Sequence, residues 1–292
     1  MVFSFVLFYN AKKFVNIEQT ETDNKNIYIR RLQLLGRPCY QKLYPLIING
    51  YRYCNDSKNY FLKLFQIIEL LAFRISLIRT NGNIKLNSRL DKILNYKGDL
   101  NCLYIGIKEN FAGDEWRWRD ETMEEVLNGP FYRKVTDNIL CYILKIYEEK
   151  ISGMEFPKLK KIQIEHIAPQ NPKKENDTGY ELTKQNKYSI KFRNNYLDCL
   201  GNLVLSTEKQ NCDLLSNNNF KEKLTIYNNN KLNLGLKQQK EIKTFLKNNK
   251  LRWSYAEIDL RHEKLVKFVM NEWGFENMTK NKQGLKEYLQ NA

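Results

Sequence analysis

Several features that would assign this chain to a familiar class are missing. Its six cysteines, Cys39, Cys54, Cys102, Cys141, Cys199 and Cys212, form no CxxC pair and lack the compact spacing of a secreted disulfide scaffold. That argues against a cysteine-rich zinc knuckle and points to free thiols in a reducing compartment. No basic residue precedes the short apolar start from Val2 to Tyr9, as a signal peptide requires. A second apolar stretch, Tyr60 to Ile78, is interrupted by Lys63, Glu69 and Arg74, so it suits a soluble core helix and not a membrane span. No repeat of fixed period is visible, and histidine occurs only twice. A cytoplasmic protein with no membrane partner is expected.

What is present is a folding composition with a strong charge bias. The chain has 292 residues, enough for one large domain or two of ordinary size. Hydrophobic residues make up 42% and aromatics 13%, which argues against a disordered tail. Lys and Arg outnumber Asp and Glu by 48 to 33, a net charge of +15. Such an excess favours a polyanionic partner, because each phosphate neutralised releases condensed counterions. A basic surface with no dedicated partner is the alternative.

Periodicity predicts an α+β protein that is predominantly helical, divided into residues 1–150 and 151–292. In the first half, Leu64, Phe65, Ile68, Leu71, Ala72 and Ile75 recur at helical spacing. Further helices are expected from Asn87 to Asn95 and from about Tyr132 to Lys150, the latter on the four-residue repeat of Val135, Ile139, Ile143 and Tyr147. Trp116-Arg117-Trp118-Arg119 is either an aromatic-cationic surface for nucleic acid or a packed anchor. The boundary is drawn at Ile151-Ser152-Gly153. Beyond it, Lys161 to Glu165 alternates like a short strand, Pro172 to Asn195 reads as a polar excursion, and Leu200 to Leu205 favours β structure. Thr207 and Gln210 have capping-box spacing for a following helix. The tracts Asn217-Asn218-Asn219 and Asn228-Asn229-Asn230 read as loop, and Ile258, Leu265, Phe268 and Val269 mark a last helix whose His262 faces solvent.

One ordered set of residues carries chemistry. Ile164-Glu165-His166-Ile167-Ala168-Pro169-Gln170 is followed by Leu200-Gly201-Asn202-Leu203-Val204-Leu205 and then Asn211. Hydrolysis of a phosphodiester needs a base for water and a divalent metal for the phosphate oxygens. Neutral imidazole, with an ordinary pKa of about 6.5, suits the base. The carboxylate of Glu165 and the amide oxygen of Asn211 are hard donors suited to Mg²⁺. Adjacent side chains on a strand diverge, so Glu165 and His166 share a site only where the strand ends or bends, and Pro169 is consistent with an ending. A structural, hydrogen-bonded histidine is the alternative reading of His166.

This set resembles the HNH, or His-Me finger, nuclease motif, and more closely the carboxy-terminal domain of GmrSD-type, modification-dependent restriction endonucleases. The resemblance extends through Ser216-Asn217, Phe220-Lys221-Glu222-Lys223, Tyr227, Trp253, Ile258, Arg261 and Leu265. It implies a ββα-metal finger embedded in helices. His166 then takes the general-base position, Glu165 the first metal-ligand position, Asn202 the position that orients the imidazole and fixes the loop, and Asn211 the last metal-ligand position. The nine-residue step from Asn202 to Asn211 also separates two asparagines in the HNH domain of RNA-guided DNA nucleases. Glu165 departs from the Asp found in many HNH proteins. Lys221, Lys223 and Arg261 are candidate phosphate contacts, or ordinary surface cations.

GmrSD-type proteins also carry a nucleotide-dependent domain, and no Walker-type glycine loop occurs in this chain. The resemblance therefore implies the nuclease half of a split or truncated system. The expected function is a metal-dependent DNA endonuclease of a restriction or phage-defence system, using one Mg²⁺ or Mn²⁺. Its expected partners are double-stranded DNA, modified or unmodified, and a separate nucleotide-binding restriction subunit. The competing readings are a non-catalytic DNA-binding or assembly subunit, and RNA as substrate.

Overall fold

Apolar residues three and four apart turn most of the chain into helix, and a single pair of strands interrupts them. The computed structural model describes residues 27–53, 58–78, 83–112, 118–157, 159, 161–173, 178–229, 235–247 and 251–275. Among these the architecture is α+β, mostly helical with one two-stranded antiparallel sheet. The chain divides into two compact units, residues 1–123 with 273–292, and residues 124–272. The break by compactness thus falls earlier than 150/151. The helix that precedes Gly153 packs on the strands of the second unit.

The first unit contains α1 (Ile27–Leu35), α2 (Tyr44–Tyr53), α3 (Lys58–Leu77), α4 (Asn83–Ile93) and α5 (Leu100–Phe111). In α3 the expected stripe is buried at Leu64, Phe65, Ile68, Leu71 and Ala72. Two of the three charges that interrupt it, Glu69 and Arg74, are buried as well. Glu69 accepts from the Trp273 indole at 2.7 Å. Arg74 donates to Asp120 at 2.6 Å and to the Trp273 carbonyl at 2.7 Å, with Phe275 under its guanidinium. Helix α4 starts four residues earlier than its apolar spacing suggests. Helix α5, capped by the Asp99 side chain, is an addition to the expected set. In the Trp116–Arg119 segment, Trp116 and Arg117 lie outside the described residues. Trp118 is buried against Phe111 with ring centroids 5.4 Å apart, so this half is a packed anchor and not a stacking surface.

Helix α6 (Asp120–Leu127) leads toward the second unit. The single helix expected from Tyr132 to Lys150 is two pieces. A turn at Phe131–Lys134 ends at Val135 in extended backbone, and α7 (Asp137–Ser152) restarts after Thr136. Ile139, Ile143 and Tyr147 face inward as their spacing requires, and Gly153 ends α7 at a φ of 70°.

The strands are β1 (Ile162–His166) and β2 (Leu203–Thr207), with Glu165 opposite Val204 and His166 opposite Leu203. Between them, 178–199 is less of an excursion than its polarity suggests. Tyr180, Tyr188 and Phe192 are buried, the last on α8 (Ile190–Asn195), and Tyr180 bridges to Trp253. After β2 the Thr207 hydroxyl accepts from the Gln210 amide at 3.2 Å, but the Gln210 side chain pairs with Gln239, so the capping box is half formed. The full box lies at Asn219 and Glu222, opening α9 (Phe220–Asn228). The asparagine tract before α9 is therefore structural. Helix α10 (Tyr255–Trp273) buries Ile258, Leu265 and Val269. It approaches Gly201 so closely that a β-carbon there would lie 2.4 Å from the Ile258 carbonyl.

Candidate functional site

His166 is the last residue of β1, and the chain beyond it is held by one side chain. Asn202, fully buried in the helical turn before β2, accepts from the Ala168 amide at 2.8 Å and donates to the Ala168 carbonyl at 3.1 Å. It also donates to Leu197 O at 2.8 Å and accepts from the Trp253 indole at 3.0 Å, while its own carbonyl takes the Ile167 amide. A side-chain amide has two donors and two acceptor lone pairs, and Asn202 uses both ends on this loop. Its bonds fix the loop after His166; the ring itself is held by other residues.

Those residues are Asp198, Tyr132 and Arg133. The His166 Nε2 lies 3.1 Å from Asp198 Oδ1. The Tyr132 ring meets the imidazole edge to face at 4.6 Å, and the Tyr132 amide donates to the Asp198 carbonyl at 2.9 Å. Asp198 is 1% exposed, and its second oxygen pairs with the largely exposed Arg133. Burial alone would raise the Asp198 carboxyl. The hydrogen bond and charge of His166, with the Arg133 guanidinium, outweigh it and hold the group below the usual carboxylate range.

Glu165 turns the other way. Its carboxylate pairs with Lys223, whose ammonium also donates to the His166 carbonyl at 2.8 Å. Both are buried, Lys223 completely. Burial raises the Glu165 carboxyl despite Lys223, and lowers Lys223 despite Glu165. Asn211 opens a π-helical turn, Asn211–Leu215, of a kind frequent at functional sites. Its amide nitrogen donates to Gln163 Oε1 at 3.1 Å. Gln163 and Glu165 are two apart on β1 and so share a face. Asn211 therefore lies beside the face of β1 that carries Gln163 and Glu165.

Two candidate phosphate contacts have other uses. Lys223 holds Glu165, and fully buried Arg261 donates to the carbonyls of Gly201 and Leu203 at 2.8 and 2.7 Å. Both are structural cations, made necessary by the carbonyls and carboxylate they satisfy. Lys221 alone of the three is exposed. His262 is half-buried against Gly201, with Nε2 3.0 Å from Asn128 Oδ1, and does not simply face solvent. The sequence reading missed Asp198, Tyr132 and Arg133. Asp198 is 32 residues from His166, in a stretch with no motif spacing. The one available signal was its place just before Leu200-Gly201-Asn202.

No curated protein and no solved structure matches the chain. A family model, described as GmrSD restriction endonucleases, C-terminal domain, matches residues 117–268, more than half of the 292. The match takes in β1, β2, Asn202, Asn211 and the His166–Asp198 contact. This chain belongs to the family of GmrSD restriction endonuclease C-terminal domains.

Proposed function

We propose that this protein is a metal-dependent DNA endonuclease of the HNH type in a restriction or phage-defence system. The observation that carries the proposal is His166 at the end of β1, its ring held by Asp198 and its following loop by Asn202, inside the family match. An ionised Asp198 only accepts, so the Nε2 facing it carries the proton and Nδ1 keeps the lone pair. Nδ1 of His166 is then the atom that takes a proton from the attacking water. Asn202 keeps the loop from shifting as that proton moves.

The oxygens of Glu165 and Asn211 are of the type a hard divalent ion, Mg²⁺ or Mn²⁺, takes, but the Glu165 carboxylate is buried on Lys223, and only an opening of that pair would expose it to an ion. Among the described residues no three His, Cys, Asp or Glu side chains are grouped to hold a metal. The protein ligands proposed from the family resemblance are Glu165 and Asn211, with water completing the shell. When bound, the ion would neutralise charge developing on the phosphate. Lys223 is the cation already on that carboxylate, and an ion at Glu165 would have to displace it.

The substrate would be double-stranded DNA, modified or unmodified, approached by exposed cations such as Lys221. A nucleotide-binding restriction subunit is the proposed partner. Among the described residues no helix is long and apolar enough to cross a membrane, in keeping with a proposed cytoplasmic location. Nicking of plasmid DNA with Mg²⁺ or Mn²⁺ tests the assignment: the protein should cut, and His166→Ala should not. Equal cutting by both, or none by either with the partner subunit present, rejects it.

One observation favours a second reading, a DNA-binding or assembly subunit that does not cleave. The Lys223 ammonium already neutralises Glu165. That reading requires DNA binding without metal, unchanged in Glu165→Ala, and no cleavage.

A further inference from the structure

We propose that Asp198, braced by Arg133, is the positioning residue for His166 and fixes the imidazole in the tautomer whose Nδ1 is unprotonated. The inference rests on the nuclease reading only for what the tautomer is used for; the hold on the ring stands on geometry. The Nε2 to Oδ1 distance of 3.1 Å is within hydrogen-bonding range. Asp198 is 1% exposed, so water cannot easily replace the ring as its partner. Three contacts hold the Asp198–His166 pair in place, one each on the Asp198 backbone, its carboxylate and the imidazole. The Tyr132 amide holds the Asp198 carbonyl, Arg133 occupies the second oxygen, and the Tyr132 ring closes the open side of the imidazole at 4.6 Å. Tyr132 and Arg133 are consecutive in the turn Phe131–Lys134, so one short segment supplies all three restraints. The break at Val135 that separates this turn from α7 allows the segment to face β1. Asn202, by contrast, makes its bonds to the loop backbone and to Trp253. Loop fixing and ring orientation are divided between two residues.

The chain's two histidines make the test direct. With histidine labelled at ring nitrogens with ¹⁵N, NMR on the full chain above neutral pH reports each tautomer. His166→Ala assigns the signals, and His262 serves as an internal control for folding. The wild type should show His166 protonated at Nε2 alone. Asp198→Ala should average the two nitrogens toward the mixture of free imidazole, with His262 unchanged. In the nicking assay, Asp198→Ala and Asp198→Asn should lower kcat on the order of 10²-fold, the contribution of a well-placed base, with DNA affinity retained. Asp198→Glu should recover more activity than either. Arg133→Met, which leaves the core untouched, should give a smaller loss in kcat. A fixed Nε2–H tautomer in Asp198→Ala, or unchanged kcat in Asp198→Asn, overturns the proposal. If His166→Ala cuts like wild type, the nuclease reading fails by itself, and the tautomer still decides whether Asp198 holds the ring.

Discussion

A buried carboxylate and a buried ammonium each depend on the other for solvation. Glu165 and Lys223 form such a pair, with the His166 carbonyl as the second acceptor for the ammonium. Replacing one partner leaves an uncompensated charge in the interior, whereas replacing both need not. Lys223→Met should therefore destabilise the protein by about 3 to 5 kcal/mol in urea unfolding. Adding Glu165→Gln to that variant should restore a large part of the loss. If Lys223→Met unfolds at the wild-type urea concentration, the pair carries no such weight and Glu165 is solvated by other groups. This residue also marks the limit of what was legible. Glu165, His166, Asn202 and Asn211 were recognisable because their order and spacing are fixed along the chain. Whether Lys223 points outward to phosphate or inward to Glu165 depends on a contact across 58 residues, which no local pattern encodes. The same holds for Asp198, whose role comes from facing a strand end 32 residues away.

Among the elements, long helices were legible and short irregular ones were not. The stripe of α3 and the four-residue repeat in α7 decide burial by spacing alone. The break at Val135 and the π-turn after Gln210 break no such spacing rule, yet they aim Tyr132 and Asn211. Helix α10 raises a different constraint. Its backbone at Ile258 and His262 lies against Gly201, where a β-carbon would come within 2.4 Å of the Ile258 carbonyl and 2.9 Å of the His262 amide nitrogen. Backbone cannot give way as a flexible side chain can, so Gly201→Ala must push α10 off the turn that carries Asn202. Overpacking of this kind typically costs roughly 1 to 3 kcal/mol. Thermal unfolding of Gly201→Ala should show a loss of that size, and nicking should fall with it because Asn202 and the Arg261 bonds to Gly201 and Leu203 shift together. A variant as stable and active as wild type would mean that α10 does not sit where its contacts indicate.

For the molecule as a whole, the net charge of +15 has to be weighed against where the cations are. Arg74, Lys223 and Arg261 are fully buried and bonded to protein groups, so they contribute nothing to phosphate contact. The excess must act through exposed side chains, among them Lys191, Arg193, Lys209, Lys221, Arg252 and Lys267 in the second unit. If about six phosphates are neutralised on binding, affinity for a short duplex should fall about 10³-fold between 50 and 200 mM salt. Fluorescence anisotropy with labelled DNA measures that slope directly. Lys221→Ala should weaken binding similarly for all sequences and reduce the slope by about one contact. Lys223→Met and Arg261→Met, where they fold, should leave the slope unchanged because neither side chain reaches solvent. Binding that does not change with salt would separate the charge from nucleic-acid recognition and return it to the ordinary surface basicity that composition alone also allows. A slope lost in Arg261→Met but kept in Lys221→Ala would reverse the assignment of inner and outer cations.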